Sequence, residues 1–319
     1  MIGQSFVFGG ITGAAGGPID LEYLIVGGGA IGGLAISNNT VHPVNANGWE
    51  GGGGGAGAAI VATTTFNKGT TYTITVGGSD ADSIISGADI TTITALTGGK
   101  GGGNENTPNG KYAGWVPQGN TSGADKNGAC GGGGGTSISS SGHFGTGSVG
   151  YRGGRWYRSS DGQPRRGAGG GGMGAVGGDN VTPGNNGGAG MTVTLFSDST
   201  ATSASIGQVS GGNVYFSGGG GGAIRSWTKG YGGLGGGGNG SSFGFTYGSS
   251  GTANTGGAGG GSAGNNAYSI QGPYYGGSGV VVFKVPTVDY SGIVTGSPTT
   301  IVEGSNTILI FKGSGTYTP

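Results

Sequence analysis

The chain alternates two textures. Short apolar or alternating segments appear first and last, and long runs of glycine lie between them. Leu21–Val26 is an apolar run that reads as a strand and enters Gly27-Gly28-Gly29 directly. Ala58–Thr65 and Thr70–Val76 are rich in Thr, Val, Ile and Tyr, and the second alternates apolar with polar residues. With Asn67-Lys68-Gly69 between them they predict a β-hairpin. Ile84, Ile85, Ile90, Ile93 and Leu96 predict further β-structure over 84–96. Met191–Phe196 and Val280–Val285 read as strands, the second ended by Pro286. Thr299–Val302 and Thr307–Phe311 make the tail a small β element, and Phe6-Val7-Phe8 is a strand-like piece near the start. The pattern divides the chain into an arm (1–19), a glycine-rich domain (20–286) and a C-terminal β tail (287–319). The domain itself has a β-rich opening (20–97) and a region of glycine blocks with inserted segments (98–286). The insertions fall at 104–128, 136–166, 198–217, 223–229, 241–255 and 265–275. The blocks recur without a fixed period, which excludes a regular solenoid.

Composition changes this picture. Glycine supplies 90 of 319 residues, against a usual share of about 7%. Within a helix each would cost roughly 1 kcal/mol relative to alanine, so long helices are close to excluded. Such a chain would be a flexible linker were it not for its aromatic residues: 4 Trp, 13 Tyr and 10 Phe are spread among the glycines. An ordered glycine-rich chain must still satisfy its backbone hydrogen bonds. Collagen is excluded, because the glycines come in blocks such as Gly51–Gly55 and Gly218–Gly222, and there are only 10 prolines. Polyglycine II remains, with about three residues per turn and no internal hydrogen bonds. Strands of it can bond laterally because no Cβ holds them apart. The expected fold is therefore mainly β and irregular: a glycine-rich slab of polyglycine II strands combined with short β-strands, β-rich at both ends, with almost no helix.

Charge and cysteine usage narrow the function. Charged residues make up 8% of the chain and the formal net charge is zero, so no global basic field marks a nucleic-acid binder. Cys130 is a single cysteine and cannot form an internal disulfide. No signal peptide or membrane span is legible.

The opening Leu21–Gly29, the Thr/Tyr/Val segment Thr70–Gly77 and the closing Gly276-Gly277-Ser278-Gly279-Val280-Val281-Val282-Phe283 together resemble the glycine-rich domain of phage tail fibre proteins. The tail, from Tyr290-Ser291-Gly292 to Phe311–Tyr317, is similar to the ends of such proteins in marine phages, cyanophages especially. More loosely, the alternation of glycine block and insertion resembles the receptor-recognising adhesin of T-even-type long tail fibres. There, polyglycine II helices stack and the intervening loops bind the host. The resemblance implies a non-enzymatic virion protein, on the tail fibre or its tip, released by host lysis. Its partners would be other virion proteins of fibre shaft, tail or capsid, and a host surface glycan or outer-membrane protein, with no nucleic acid. It would be a monomer at a fibre tip or a homotrimer. A capsid fibre or decoration, and an extracellular filament subunit, are the alternatives.

Catalytic chemistry finds little support. His42 and His143 are the only histidines, and no metal-ligand spacing occurs. No cofactor or metal is expected. Asp80 and Asp82 read as a turn, since a calcium site needs about six oxygens. Gly27–Gly32 matches a dinucleotide fingerprint, but no helix follows to hold a phosphate. The most polarised stretch is Arg152, Arg155, Trp156, Tyr157 and Arg158, followed by Arg165 and Arg166. It reads as a surface loop, or as a contact for an anionic glycan through bidentate arginine and aromatic stacking. Trp115, Trp227, Tyr231, Phe243 and Tyr247 complete the candidate receptor-binding residues, with Phe245, Tyr274 and Tyr275 among the other insertion aromatics. Each ring either packs over the glycine slab or forms an exposed platform.

Overall fold

A computed structural model describes residues 17–34, 50–103, 128–135, 144–157, 166–181, 184–226, 228–242, 246–263 and 272–319. The strand expected at Phe6–Phe8 lies outside them. The fold is mostly antiparallel β-sheet with a single α-helix among the described residues.

The strands are β1 (Ile19–Val26), β2 (Ala59–Phe66), β3 (Tyr72–Thr75), β4 (Ser83–Gly87), β5 (Ile90–Ala95), β6 (Met191–Val193), β7 (Gln208–Ser210), β8 (Asn213–Phe216), β9 (Val280–Pro286), β10 (Ile293–Thr295), β11 (Thr299–Glu303), β12 (Asn306–Phe311) and β13 (Gly315–Thr318), and the helix is α1 (Asp198–Ala204). They form two five-stranded sheets, ordered β11-β12-β9-β1-β2 and β10-β13-β3-β4-β5, and a three-stranded sheet, β6-β8-β7.

The first sheet is the middle layer, because its three central strands, β12, β9 and β1, are apolar on both faces. Leu21, Tyr23, Ile25, Val281, Phe283, Leu309 and Phe311 meet Tyr72, Ile74, Ile85 and Tyr317 of the second sheet. The alternate residues Leu24, Val26, Val280, Val282, Ile308 and Ile310 meet Phe196, Ala201, Ile206, Val214 and Phe216 of α1 and the small sheet. This two-sided burial is why Leu21–Val26 and Val280–Val285 read as continuous apolar runs rather than alternating ones.

Two expectations are corrected by this packing. The segments Ala58–Thr65 and Thr70–Val76 are strands but not a hairpin: β2 joins the first sheet and β3 the second. Phe66 and Tyr72 stack across the corner with ring centroids 3.6 Å apart, and Phe66 meets Phe283 edge to face at 5.5 Å. Burying both rings between the sheets outweighs closing a local turn. The segment 198–217 is not a surface insertion. It has few glycines, forms α1 and the β7–β8 hairpin, and covers one face of the middle sheet. Ser197 caps α1 by accepting the Thr200 N–H at 3.2 Å. The tail 287–319 supplies β11 and β12 to the first sheet and β10 and β13 to the second, so it packs within the sandwich.

The glycine blocks continue from the ends of these strands. The pairing of β1 with β2 ends at Val26↔Ala59. Beyond it the same two segments stay bonded through Gly27 N–H to Ala58, Ala30 N–H to Gly55 and Gly33 N–H to Gly52. The interval has changed from two residues to three, which is the polyglycine II repeat.

The segment 51–58 shows the resulting lattice. Gly51, Gly54 and Gly57 donate to Ser262, Gly259 and Gly256; Gly52, Gly55 and Ala58 donate to Gly102, Gly99 and Leu96; Gly53 and Ala56 donate to Ala168 and Gly171. The carbonyls of the segment accept in the same rotation: from Gly33, Ala30 and Gly27, from Gly133 and Cys130, and from Gly220 and Ala223. The N···O distances are 2.7–3.1 Å. Six neighbours therefore surround one strand, so the glycine region is a bundle with depth rather than a flat slab. Close approach forces the composition. A Cβ on Gly53 would lie 1.9 Å from the Gly220 carbonyl oxygen, and one on Gly170 would lie 1.7 Å from that of Gly54.

Candidate functional site

The lattice has two unlike ends. At one, its strands run into β1, β2, β5, β6, β8 and β9 of the sandwich. At the other, Leu34, Glu50, Gly103, Gly135, Arg166, Ile224, Ser242 and Ala263 terminate the described glycine segments. These residues lie near one level, because Gly33 bonds to Gly52, Gly52 to Gly102, Gly102 to Gly133, Gly51 to Ser262, and Gly167 to Ala223. Bridges join Glu50 to Ala263, and Ile224 to both Arg166 and Ser242. The segments 35–49, 136–143, 158–165, 243–245 and 264–271 leave and re-enter the lattice at this end, whereas 104–127 leaves it at Gly103 and rejoins it at Gly128 on the sandwich side, where Ala129 bonds to Thr97. Five of the segments between the lattice strands thus share one face of the support, an arrangement that suits binding loops, while parts of the expected insertions 104–128, 136–166 and 241–255 reach the sandwich side, as Ser148 bonds to Gly128 and Asn254 to Gly207.

The described candidate residues divide by burial. Trp156 is 5% exposed and is therefore a packing residue, not a platform. Tyr157, Tyr231 and Tyr247 are exposed, the last at 77%. Trp115, Arg158, Trp227 and Phe243 lie outside the described residues, as do Phe245 and Arg165.

Arg152 and Arg155 come together on Phe144, a ring that sequence reasoning did not single out. Their guanidinium carbons lie 5.3 and 5.0 Å from its centroid, within the range of cation–π attraction. Asp179 steadies the group: its carboxylate accepts the Arg155 backbone N–H at 2.7 Å and lies 3.5 Å from an Arg152 guanidinium nitrogen. Asn180 clasps the next residues, its side chain bonding both the N–H and the carbonyl of Tyr157, at 2.8 and 2.9 Å. Phe144, Asp179 and Asn180 lie at some remove along the chain from Arg155, so only the lattice brings them together.

A second exposed aromatic group is Tyr247 with Tyr274 and Tyr275. The Gly248 N–H donates to the Tyr274 hydroxyl at 2.8 Å, and the Tyr275 N–H donates to Ser250 at 3.1 Å. Burial raises the Tyr274 hydroxyl pKa, and the nearby Tyr247 adds to the rise. Tyr231 stands apart from them, with the Lys229 ammonium 5.9 Å from its ring centroid.

Other polar groups are used internally. Asp80 accepts the Ile31 N–H at 3.2 Å and Asp82 the Thr97 N–H at 2.6 Å, so both carboxylates tie the turn to the lattice. A groove of about 540 Å³ opens beside α1, lined in part by Phe196, Asn213, Lys284, Glu303 and Asn306. Lys284 and Glu303 already have partners there: Lys284 pairs with Glu22 at 2.8 Å, and Glu303 accepts the Ser197 N–H at 2.9 Å and the Thr200 hydroxyl at 3.2 Å. Among the described residues no group of three His, Cys, Asp or Glu is placed to hold a metal.

Comparison with family models, with curated proteins and with solved structures finds no match for this chain. The phage-fibre likeness rests on the sequence motifs quoted above.

Proposed function

We propose that the protein is a non-enzymatic virion component, a tail fibre or fibre-tip adhesin, that presents its insertion loops to a host-cell surface. The observation that carries this reading is the polarity of the fold. A β-sandwich closes one end of the lattice, and five insertions leave and re-enter it at the other. A lattice with up to six lateral bonding partners per strand holds its ends in fixed relation, and loops on it can differ in length and sequence without disturbing the bonded core. The sandwich end, beyond the glycine lattice, is the end available for attachment to a fibre shaft, tail or capsid.

The test is binding of labelled purified protein to a panel of bacterial cells, with a variant in which 35–49 is replaced by a short Gly-Ser linker between Leu34 and Glu50, which flank the bonded pair Gly33 and Gly52. Saturable binding to a susceptible strain is expected, together with loss of at least tenfold in affinity for the trimmed variant at unchanged melting temperature. Protein that binds no cell type, but decorates a capsid or forms filaments, would favour the structural alternatives.

A further inference from the structure

The chain is electrically neutral as a whole but not along its length. Residues 98–279 hold ten of the thirteen lysines and arginines and only five of the thirteen acidic residues. One of those five, Asp198, lies in α1 against the sandwich. Outside that stretch three basic residues face eight acidic ones. Counting Asp198 with the sandwich and Glu50 with the lattice end where it sits leaves the balance unchanged: the lattice with its insertions carries positive charge, and the β-rich remainder negative charge of equal size. Charge separated this way steers an approaching polyelectrolyte even when net charge is zero, because opposite charges farther apart than the ~8 Å screening length of physiological salt do not cancel near either surface.

On the basic half, the Phe144 group gives this charge a defined contact point. Arg155 is exposed and Arg152 half-buried. Both are held against one ring, with a single carboxylate, Asp179, beside them. Two guanidinium groups against one carboxylate leave positive charge and unused donors, in the fork geometry that matches carboxylate and phosphate groups. Tyr151 and Tyr157, both exposed, flank the arginines in sequence and offer aromatic surface of the kind on which sugar rings pack.

Resting on the adhesin reading, we infer that the loop-bearing half recognises an acidic polysaccharide, one carrying carboxylate or phosphate groups, with Arg152 and Arg155 as contact residues. Neutral glycans lack the charge this half is built to meet. Single-stranded nucleic acid shares the charge and can stack its bases on the same rings, so it is the competitor the experiment separates.

The experiment measures binding of the full chain to immobilised polygalacturonate, a phosphomannan, neutral dextran and single-stranded DNA, as salt is raised from about 20 mM to about 300 mM. Binding to one or both acidic polysaccharides but not to dextran is expected, falling at least tenfold over the salt range. Arg152→Gln/Arg155→Gln should reduce it at least tenfold. Arg155→Gln alone should reduce it severalfold, and it keeps the neighbouring fold because only backbone atoms of residue 155 bond to Asp179 and Asn180. Lys68→Gln, at the sandwich, should leave it unchanged. Binding to dextran as strong as to the acidic polymers, insensitivity to salt or to Arg155→Gln, or tighter binding to DNA would each overturn the inference. The two readings fail separately. Cell binding indifferent to salt and to Arg155→Gln removes the acidic ligand and leaves the adhesin. Acidic-polysaccharide binding without any cell binding does the reverse.

Discussion

Replacing Gly53 with alanine isolates what the lattice contributes. The added Cβ would lie 1.9 Å from the Gly220 carbonyl oxygen, 2.4 Å from its carbon and 2.9 Å from the Gly170 nitrogen. All three are backbone atoms, so no side chain can swing aside. Reaching an ordinary contact requires the two strands to part by more than about 1 Å, which stretches a hydrogen bond beyond useful length. The bonds at risk are Gly53 to Ala168 at 2.9 Å, Gly133 to Gly53 at 2.8 Å and Gly220 to Gly54 at 3.0 Å. Each buried backbone group left without a partner costs about 1–3 kcal/mol. Two to three such losses give a destabilisation on the order of 3–6 kcal/mol, a large part of a typical domain's ~5–15 kcal/mol. For a chain of this length that lowers the melting temperature by roughly 5–9 °C. Gly78→Ala is the control: nothing lies within 4 Å of its Cβ position and its φ is ordinary, so a change within about 0.5 kcal/mol is expected. Scanning calorimetry of the two variants beside the parent decides the matter. A Gly53→Ala protein melting within about 2 °C of the parent, or a Gly78→Ala protein losing as much, would refute the close-approach reasoning.

Other outcomes follow from the same packing. Phe66→Ala removes a fully buried ring stacked on Tyr72 and should cost about 3–5 kcal/mol in denaturant unfolding; a loss under about 1 kcal/mol would mean that the corner between the sheets can refill. Alkaline unfolding should show the buried Cys130 thiol, which desolvation pushes from its ordinary 9.0 up to about 12. The unfolded chain releases this proton first, so its contribution is complete below about pH 9 and is lost as pH rises through 12, up to roughly 4 kcal/mol in all. A Cys130→Ala variant, if it folds, should have a flatter stability profile across that window, and an identical profile would contradict the assignment.

How much was legible beforehand varied with the range of the forces involved. The β-runs of the ends were visible because apolar continuity at Leu21–Val26 and Val280–Val285 reflects burial on both faces, a property carried by the residues themselves. Blocked rather than periodic glycine pointed to polyglycine II because only that conformation needs every Cβ absent without needing proline. In sequence the corner at Asn67–Gly69 looks like a hairpin, since a short turn looks alike whether its strands pair or enter different sheets. What separates them is the distant partners of Phe66 and Tyr72. The helix α1 escaped notice because seven residues with Ser and Thr carry little periodicity, although Ser197-Asp198 at its start is a capping signal. At the candidate site, Arg152, Arg155 and Tyr157 were found through local charge and aromatic content. Phe144 and Asp179 were not, because they approach the arginines only through lattice bonds. Trp156 was grouped with its exposed neighbours, and its burial depends on contacts that sequence spacing does not encode.

Electron cryomicroscopy of the intact particle bearing this chain tests the central claim most directly. The account predicts that the sandwich end of each copy adjoins the fibre or tail and that the loop-bearing end of the lattice points outward, free of other virion proteins. Copies with that end buried against the particle, or chained head to tail in a filament, would contradict it.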